Sequence, residues 1–266
     1  MKDPDWMQTY VRLVQHEFSA EIFAGFQLAF MRPFAVPHMA DVLAASGSMK
    51  RDAERRAYRT GLMMYEVIDG RLTSPRARRV ISQINRAHAG FTINDNDFAF
   101  VLDSFIVVPT RHIDRMGWRK TTGHEREATW RFYVRLSELM NIASPPTCFE
   151  HAVDRFDAYE SQHVQSSDTT LELGAQTLAV MKNRLPAAAR RVAPTLFSAQ
   201  LDDPPVAKAL GLPKAPATLT TGIRLATALH GRRQARKHVS TPFFVPGQPA
   251  GRTFASGYTL DQLLAN

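Results

Sequence analysis

Residues 74–91 read Ser74-Pro75-Arg76-Ala77-Arg78-Arg79-Val80-Ile81-Ser82-Gln83-Ile84-Asn85-Arg86-Ala87-His88-Ala89-Gly90-Phe91. Ala77, Ile81, Ile84, His88 and Phe91 are spaced four, three, four and three apart, so on an α-helix they form one seam. His88 is its only polar member. Ser74 followed by Pro75 is an N-cap with proline at the first helical position, which predicts a helix running from there through Phe91 with the seam turned to the core.

Working outward, helical spacing continues on both sides. Upstream, Asp52 to Asp69 reads as a helix, with Gly70 placed as a left-handed C-terminal cap. Further back, Tyr10, Val14, Phe18, Ile22 and Phe26 recur every four residues between Trp6 and Met31, until Pro33 and Pro37 stop the pattern. Downstream, Asn94-Asp95-Asn96-Asp97 is a run of cap formers, and Phe98, Val101, Leu102 and Phe105 behind it predict a helix ending at Pro109. Thr122 to Glu125 and Thr147 to Glu150 both match the capping box and predict helices ending near Asn141 and Gln165. Beyond Thr169, two helical stretches are broken by Pro186 and by Asp202-Asp203-Pro204-Pro205, and a last helix runs from Pro216 to Gly231.

No run alternates apolar and polar residues between hairpin turns, so the fold class is all-α. With 266 residues, of which 44% are hydrophobic, the chain suffices for one sizeable core. One domain over residues 1–266 is expected, with a looser C-terminal part and an irregular tail over 240–266.

The formal charge of +8 raises the question of nucleic acid. Arginines are spread along the chain, however, and the densest run (Arg232, Arg233, Arg236, Lys237, His238) has no interleaved aromatics for base stacking, so a solvated basic face is expected and no nucleic-acid partner. Such a face also suits peripheral contact with an anionic membrane. The lone Cys148 excludes an internal disulfide and an all-cysteine zinc site, and no C-x-x-C-H motif exists for covalent haem attachment. Met1-Lys2-Asp3-Pro4-Asp5 lacks the pattern of a secretion signal, and the most apolar stretch, Ile22 to Met31, is too short to span a bilayer. Cytoplasmic residence is the expectation, with membrane association left open.

A histidine on an apolar seam is more often a hydrogen-bonded core residue than a ligand, and spacing alone does not reverse those odds. On the preceding helix Arg56, Arg59, Thr60, Met63 and Val67 place polar groups at one end of an apolar stripe, where they can stand opposite His88. Alternatively Arg56 and Arg59 lie on a solvated face with Asp52 and Glu54.

A longer pattern bears on that choice. Arg56 followed by Arg59-Thr60, then Asn85-x-x-His88, the stretch Phe91 to Phe98 and Phe100-x-Leu102 stand in an order that resembles the MpaB and rubber oxygenase family of haem-dependent oxygenases. The resemblance continues through Pro109, Gly117-Trp118-Arg119, Glu125, Met140-Asn141-Ile142 and Tyr159-Glu160, and returns at Arg252-Thr253-Phe254 and Gly257-Tyr258. It is best over residues 17–165.

The resemblance implies a b-type haem with His88 as proximal iron ligand and therefore as the metal-binding residue, an arrangement that suits dioxygen chemistry. It implies Arg56, Thr60 and, between them, Arg59 as catalytic residues on the opposite side, with Arg56 and Thr60 also binding the cofactor. Rubber-cleaving members carry a lysine where this chain has Arg59; arginine stays protonated and cannot coordinate iron. Their distal glutamate has no assigned counterpart here, since Asp41 and Glu54 are only nearby in sequence. Arg111, Arg115, Arg119 and Lys120 are the nearest basic cluster for the haem propionates, although a solvated loop explains most of them equally. The implied reaction is oxygenation or oxidative cleavage of an apolar, isoprenoid-like substrate by dioxygen, the haem supplying the oxygen chemistry.

Other functions find less support. A di-iron carboxylate site needs two Glu-x-x-His pairs, and only Glu160-Ser161-Gln162-His163 occurs. No Gly-x-Ser-x-Gly elbow exists for nucleophilic hydrolysis. The main alternative is a helical protein that carries haem or a hydrophobic ligand without turning it over.

Overall fold

The computed structural model describes residues 4–45, 47–183, 185–201, 203–235, 241–251 and 253–265. The expectations placed on residues 1–3, Asp202, Arg236, Lys237, His238 and Arg252 lie outside them. Among the described residues there are thirteen α-helices and no strand. The first nine are α1 (Asp5–Arg12), α2 (Ser19–Met31), α3 (Pro37–Ala45), α4 (Ser48–Asp69), α5 (Pro75–His88), α6 (Asp95–Met116), α7 (Gly123–Met140), α8 (Phe149–His163) and α9 (Asp168–Asn183). The chain continues through α10 (Ala193–Leu201), α11 (Pro204–Ala209), α12 (Ala217–Ala235) and α13 (Leu260–Leu264). The protein is a single all-α domain around one dominant hydrophobic core.

At the centre lies α6. Every residue from 102 to 110 is buried, because α2, α7, α8 and α12 pack around it. A helix apolar on all sides has to be enclosed in this way. Pro109 does not end α6, contrary to the sequence expectation; the helix runs on to Met116. Proline removes one backbone donor and crowds the preceding turn, but α6 is held on both sides by neighbouring helices. The position is instead a point of close approach: a Cβ on Gly25 of α2 would lie 2.6 Å from Pro109 Cα.

The four-residue stripe near the N-terminus is buried throughout, with Val14 and Phe18 fully enclosed. A strict four-residue repeat drifts about 40° per step around an ordinary α-helix. Between α1 and α2 the segment Leu13–Glu17 is a π-turn, closed by Phe18 N–H donating to Leu13 O at 3.0 Å, and this wider turn keeps the stripe on one side.

Several caps form as the sequence dictates. Ser74 accepts from Ala77 N at 3.1 Å, Asn94 from Asp97 N at 2.8 Å, and Thr122 with Glu125 forms a complete capping box. Two expectations are corrected. The N-cap of α8 is Cys148, whose sulfur accepts from His151 N, while the Thr147 side chain and amide turn to His151 Nδ1. Gly70 has φ −74°, so it is not a left-handed cap; Arg71 and Leu72 take the positive φ angles of 50° and 64°. Gly70 is glycine for space, because a Cβ there would lie 2.3 Å from Ser74 Oγ. α5 ends at His88, and Phe91 beyond it is exposed.

The C-terminal segment is irregular over 241–251 and 253–259 but not loose. Phe244, Phe254, Tyr258, Leu260 and Leu263 are buried in the core. Phe243 N–H donates to Gln15 O and Phe244 N–H to Gln15 Oε1, both at 2.9 Å. A Thr259/Gln262 capping box starts the unexpected α13. Glu66, almost fully buried on α4, fastens this segment: it accepts from Arg76 Nη2 at 2.6 Å and from the Tyr258 hydroxyl at 2.9 Å.

Gly25→Ala drives a methyl into the Pro109 backbone and should lower the unfolding free energy by about 1–3 kcal/mol in urea titration. A stability equal to the wild type would show that α2 and α6 can part without cost.

Candidate functional site

His88 is the last residue of α5, and it is half-buried. Its ring meets Phe98 in the first turn of α6 edge to face, with centroids 5.3 Å apart and planes at 62°. Burial holds its pKa below the usual histidine value, so the imidazole is neutral at pH 7. Among the described residues no protein group hydrogen-bonds to either ring nitrogen. Neighbouring Asn85 pins this end of the helix by donating Nδ2–H to Leu139 O of α7 at 3.0 Å.

The seam on α5 is therefore graded. Ala77 and Ile81 are buried, Ile84 and His88 are half-buried, and Phe91 lies past the helix end. On the other side of α5, Arg78, Arg79, Ser82, Gln83 and Arg86 line an open groove of about 610 Å³ closed by α13, where Arg79 pairs with Asp261.

The helices α4 and α5 pack as a hairpin across the short turn at 70–74, with Arg76 clamped on Glu66 next to it. Arg56 lies thirteen residues before the end of α4 and His88 thirteen after the start of α5, so both stand about 20 Å from the turn. Arg56 is half-buried, and burial lowers its pKa. Thr60 Oγ donates to Arg56 O at 2.9 Å, which directs its proton along its own helix and leaves the oxygen lone pairs as acceptors. Arg59 turns away to the C-terminal segment, donating Nε–H to Leu263 O at 3.0 Å. Beside Thr60, Gly61 has no atom within 4 Å of where a Cβ would stand.

The basic cluster at the end of α6 and just beyond it serves the fold. Arg111 makes two 2.7 Å bonds to Asp157, Arg115 donates to the Gln200 and Leu201 carbonyls, and Arg119 bridges Glu17 and Glu125 above the Phe18 ring. Arg111 and Arg115 lie on α6 rather than in a loop, as the earlier end placed on that helix had implied. Arg111 and Lys120 are both exposed, and Arg115 and Arg119 half-buried.

Two polar networks escaped the sequence reading. Buried Asp97, taken from sequence as a cap former, accepts from the Tyr159 hydroxyl, from Asn94 Nδ2 at 2.9 Å, and lies 2.9 Å from His38 Nε2. This fixes the turn of α6 that carries Phe98 against His88. Second, buried Arg32 reaches Glu160 at 3.1 Å and Asp203 at 2.5 Å. Both join residues far apart in sequence, and no local pattern announces the pairing. Glu160 is thus committed to Arg32, and His163, the other half of the Glu-x-x-His motif, stacks on Tyr159 at 4.1 Å.

The fold is that of a single all-helical domain, and the comparisons give its class. Residues 15–232 match the family described as ER-bound oxygenase mpaB/B'/rubber oxygenase, catalytic domain, and the chain belongs to that family. It is 23% identical over 221 residues to an ER-bound oxygenase mpaB' of Penicillium brevicompactum, covering 76% of this chain and 52% of that protein. It is 24% identical over 221 residues to an ER-bound oxygenase mpaB of Penicillium roqueforti (strain FM164), covering 76% and 74%. The match thus spans about half the length of the first relative and three quarters of the second. Among the described residues no helix is long and apolar enough to cross a membrane.

Burial, reinforced by Asp203 and Asp157 and opposed by Arg32, pushes the Glu160 carboxyl from 4.5 to about 7. Between those values the folded protein holds a proton that the unfolded chain has released, so stability should fall as pH rises through the window and level off above it. The fall is on the order of 3 kcal/mol. Glu160→Gln should flatten this part of the curve in chemical denaturation at pH 4.5, 6 and 7.5; an unchanged slope would assign it to another group.

Proposed function

We propose that the protein is a haem b-dependent oxygenase acting with dioxygen on an apolar, isoprenoid-like substrate, and that His88 is the proximal iron ligand. The observation that carries this reading is the His88 imidazole, which is half-buried, neutral at pH 7 and unclaimed by any protein hydrogen bond among the described residues. A neutral imidazole with a free nitrogen is the donor that a haem iron takes.

The donor set points the same way. Among the described residues no three His, Cys, Asp or Glu side chains gather for a metal ion. A single imidazole suits a metal that brings its own in-plane donors. Gly61 leaves room beside Thr60 for a bound group, as Gly123 and Gly222 leave room at their own positions.

When bound, haem would supply the activation of dioxygen, and the chain's residues would orient and enclose. Phe98 would hold the His88 ring in one orientation, and the Asp97–Tyr159 network would hold Phe98. Arg56, at the same level of the helical hairpin, would offer a cation to the opposite face, with Thr60 next to it as an acceptor or, after rotation, a donor. Arg59 would act indirectly, by tying α13 to α4. The relatives' names place them at a membrane of the endoplasmic reticulum; a seat on a membrane surface would bring this protein to an apolar substrate.

Protein reconstituted with haem should show a Soret band, and His88→Ala should weaken haem binding at least about tenfold, the equivalent of roughly 1.4 kcal/mol. Gly61→Leu, which fills the open space, should lower haem or substrate affinity while leaving the far-ultraviolet circular dichroism unchanged. An unaltered spectrum in His88→Ala would sink the assignment. A Soret band without oxygen consumption on polyprenyl substrates would select the non-catalytic carrier.

A further inference from the structure

The charge of this chain is segregated. Eight of its 33 Lys and Arg residues and none of its 25 Asp and Glu residues fall between positions 204 and 260. The other residues carry 25 of each sign, so the entire excess of +8 belongs to that stretch. Its main element is α12, which packs on α6 and α10.

Its inward positions hold Leu219, Ile223, Thr227, Ala228 and Gly231, and the approach is close enough that a Cβ on Gly231 would lie 3.1 Å from Trp118 Cδ1. Its other two leucines point to solvent instead: Leu225 is 60% exposed and Leu229 is 55% exposed. Arg232 and Arg233 follow at the seventh and eighth positions after Leu225, so leucines and guanidiniums share one exposed stripe. At the end of α12, Glu21 Oε1 lies near Gly231, and two residues beyond Glu21 the exposed Phe23 meets exposed Phe243 at 5.8 Å.

We infer that the outer face of α12 docks on the surface of an anionic phospholipid bilayer, with Leu225 and Leu229 entering the boundary of the acyl region and Arg232 and Arg233 meeting lipid phosphates. Aliphatic side chains beside arginines on an acid-free segment are what an interfacial helix needs. Nucleic acid explains the cations but gives the leucines nothing to do, since bases stack on aromatic rings. The inference deepens the membrane-seated part of the function proposed above and is independent of the haem.

The test is co-sedimentation of the full chain with phosphatidylcholine vesicles, with and without phosphatidylserine, alongside a haem spectrum of the same sample. Binding should be about tenfold tighter to the mixed vesicles. Leu225→Gln/Leu229→Gln should weaken it about tenfold, and Arg232→Gln/Arg233→Gln should remove the preference for phosphatidylserine. All four side chains are exposed, so thermal melting of both variants should match the wild type. Equal binding to both vesicle types, wild-type retention of the leucine variant, or tighter binding to duplex DNA than to vesicles would overturn the inference. So would a dimer in light scattering that the leucine variant abolishes. A missing Soret band would count only against the haem.

Discussion

The enclosure of α6 is the constraint on which the rest of the structure depends. A helix whose residues are buried without interruption from 102 to 110 cannot stand at a surface, so other elements must close around it. α2 comes closest, and the bare Cα of Gly25 against Pro109 sets that distance. A proline inside the helix is tolerated because the packing around it outweighs the lost hydrogen bond. The N-terminal stripe, the aromatic residues of α7 and α8 and even the C-terminal segment supply the remaining walls.

Enclosing so much chain also buries polar groups, which favours those that find a partner. Glu66 joins Arg76 to Tyr258, Asp97 joins α6 to Tyr159, and Arg32 holds two acidic groups at once. These networks tie together helices that hydrophobic contact alone would let slide. His88 differs from them: it is only half-buried, beside Phe98, with its nitrogens unclaimed among the described residues. Buried His112 also keeps one ring nitrogen without a partner, so it is the place of His88 at the end of α5, not the free nitrogen alone, that sets it apart.

Arg56, Thr60 and His88, the residues that the resemblance singles out, lie toward one end of the α4–α5 hairpin, while the excess positive charge falls between positions 204 and 260. Arg111 and Arg115 on α6 and Arg119 beyond it, the basic cluster considered for the haem propionates, brace helices: arginine is as suited to a carboxylate of its own chain as to a propionate.

Local information sufficed for what is local. Helical periodicity fixed the all-α class, and Ser74, Asn94 and Thr122 cap the helices they precede because a cap involves only three or four neighbouring residues. The ordered pieces around Arg56, Thr60 and His88 carried the family. Where local rules competed with packing they failed: Pro109 lies inside a helix, Gly70 is needed for space rather than for its φ angle, and the Thr147 box gave way to Cys148. Which acid meets which base, which way Arg59 turns, and that the tail folds back into the core are decided by residues 62 to 229 positions apart. No short window contains both partners of such a contact, so only the assembled helices could choose among them.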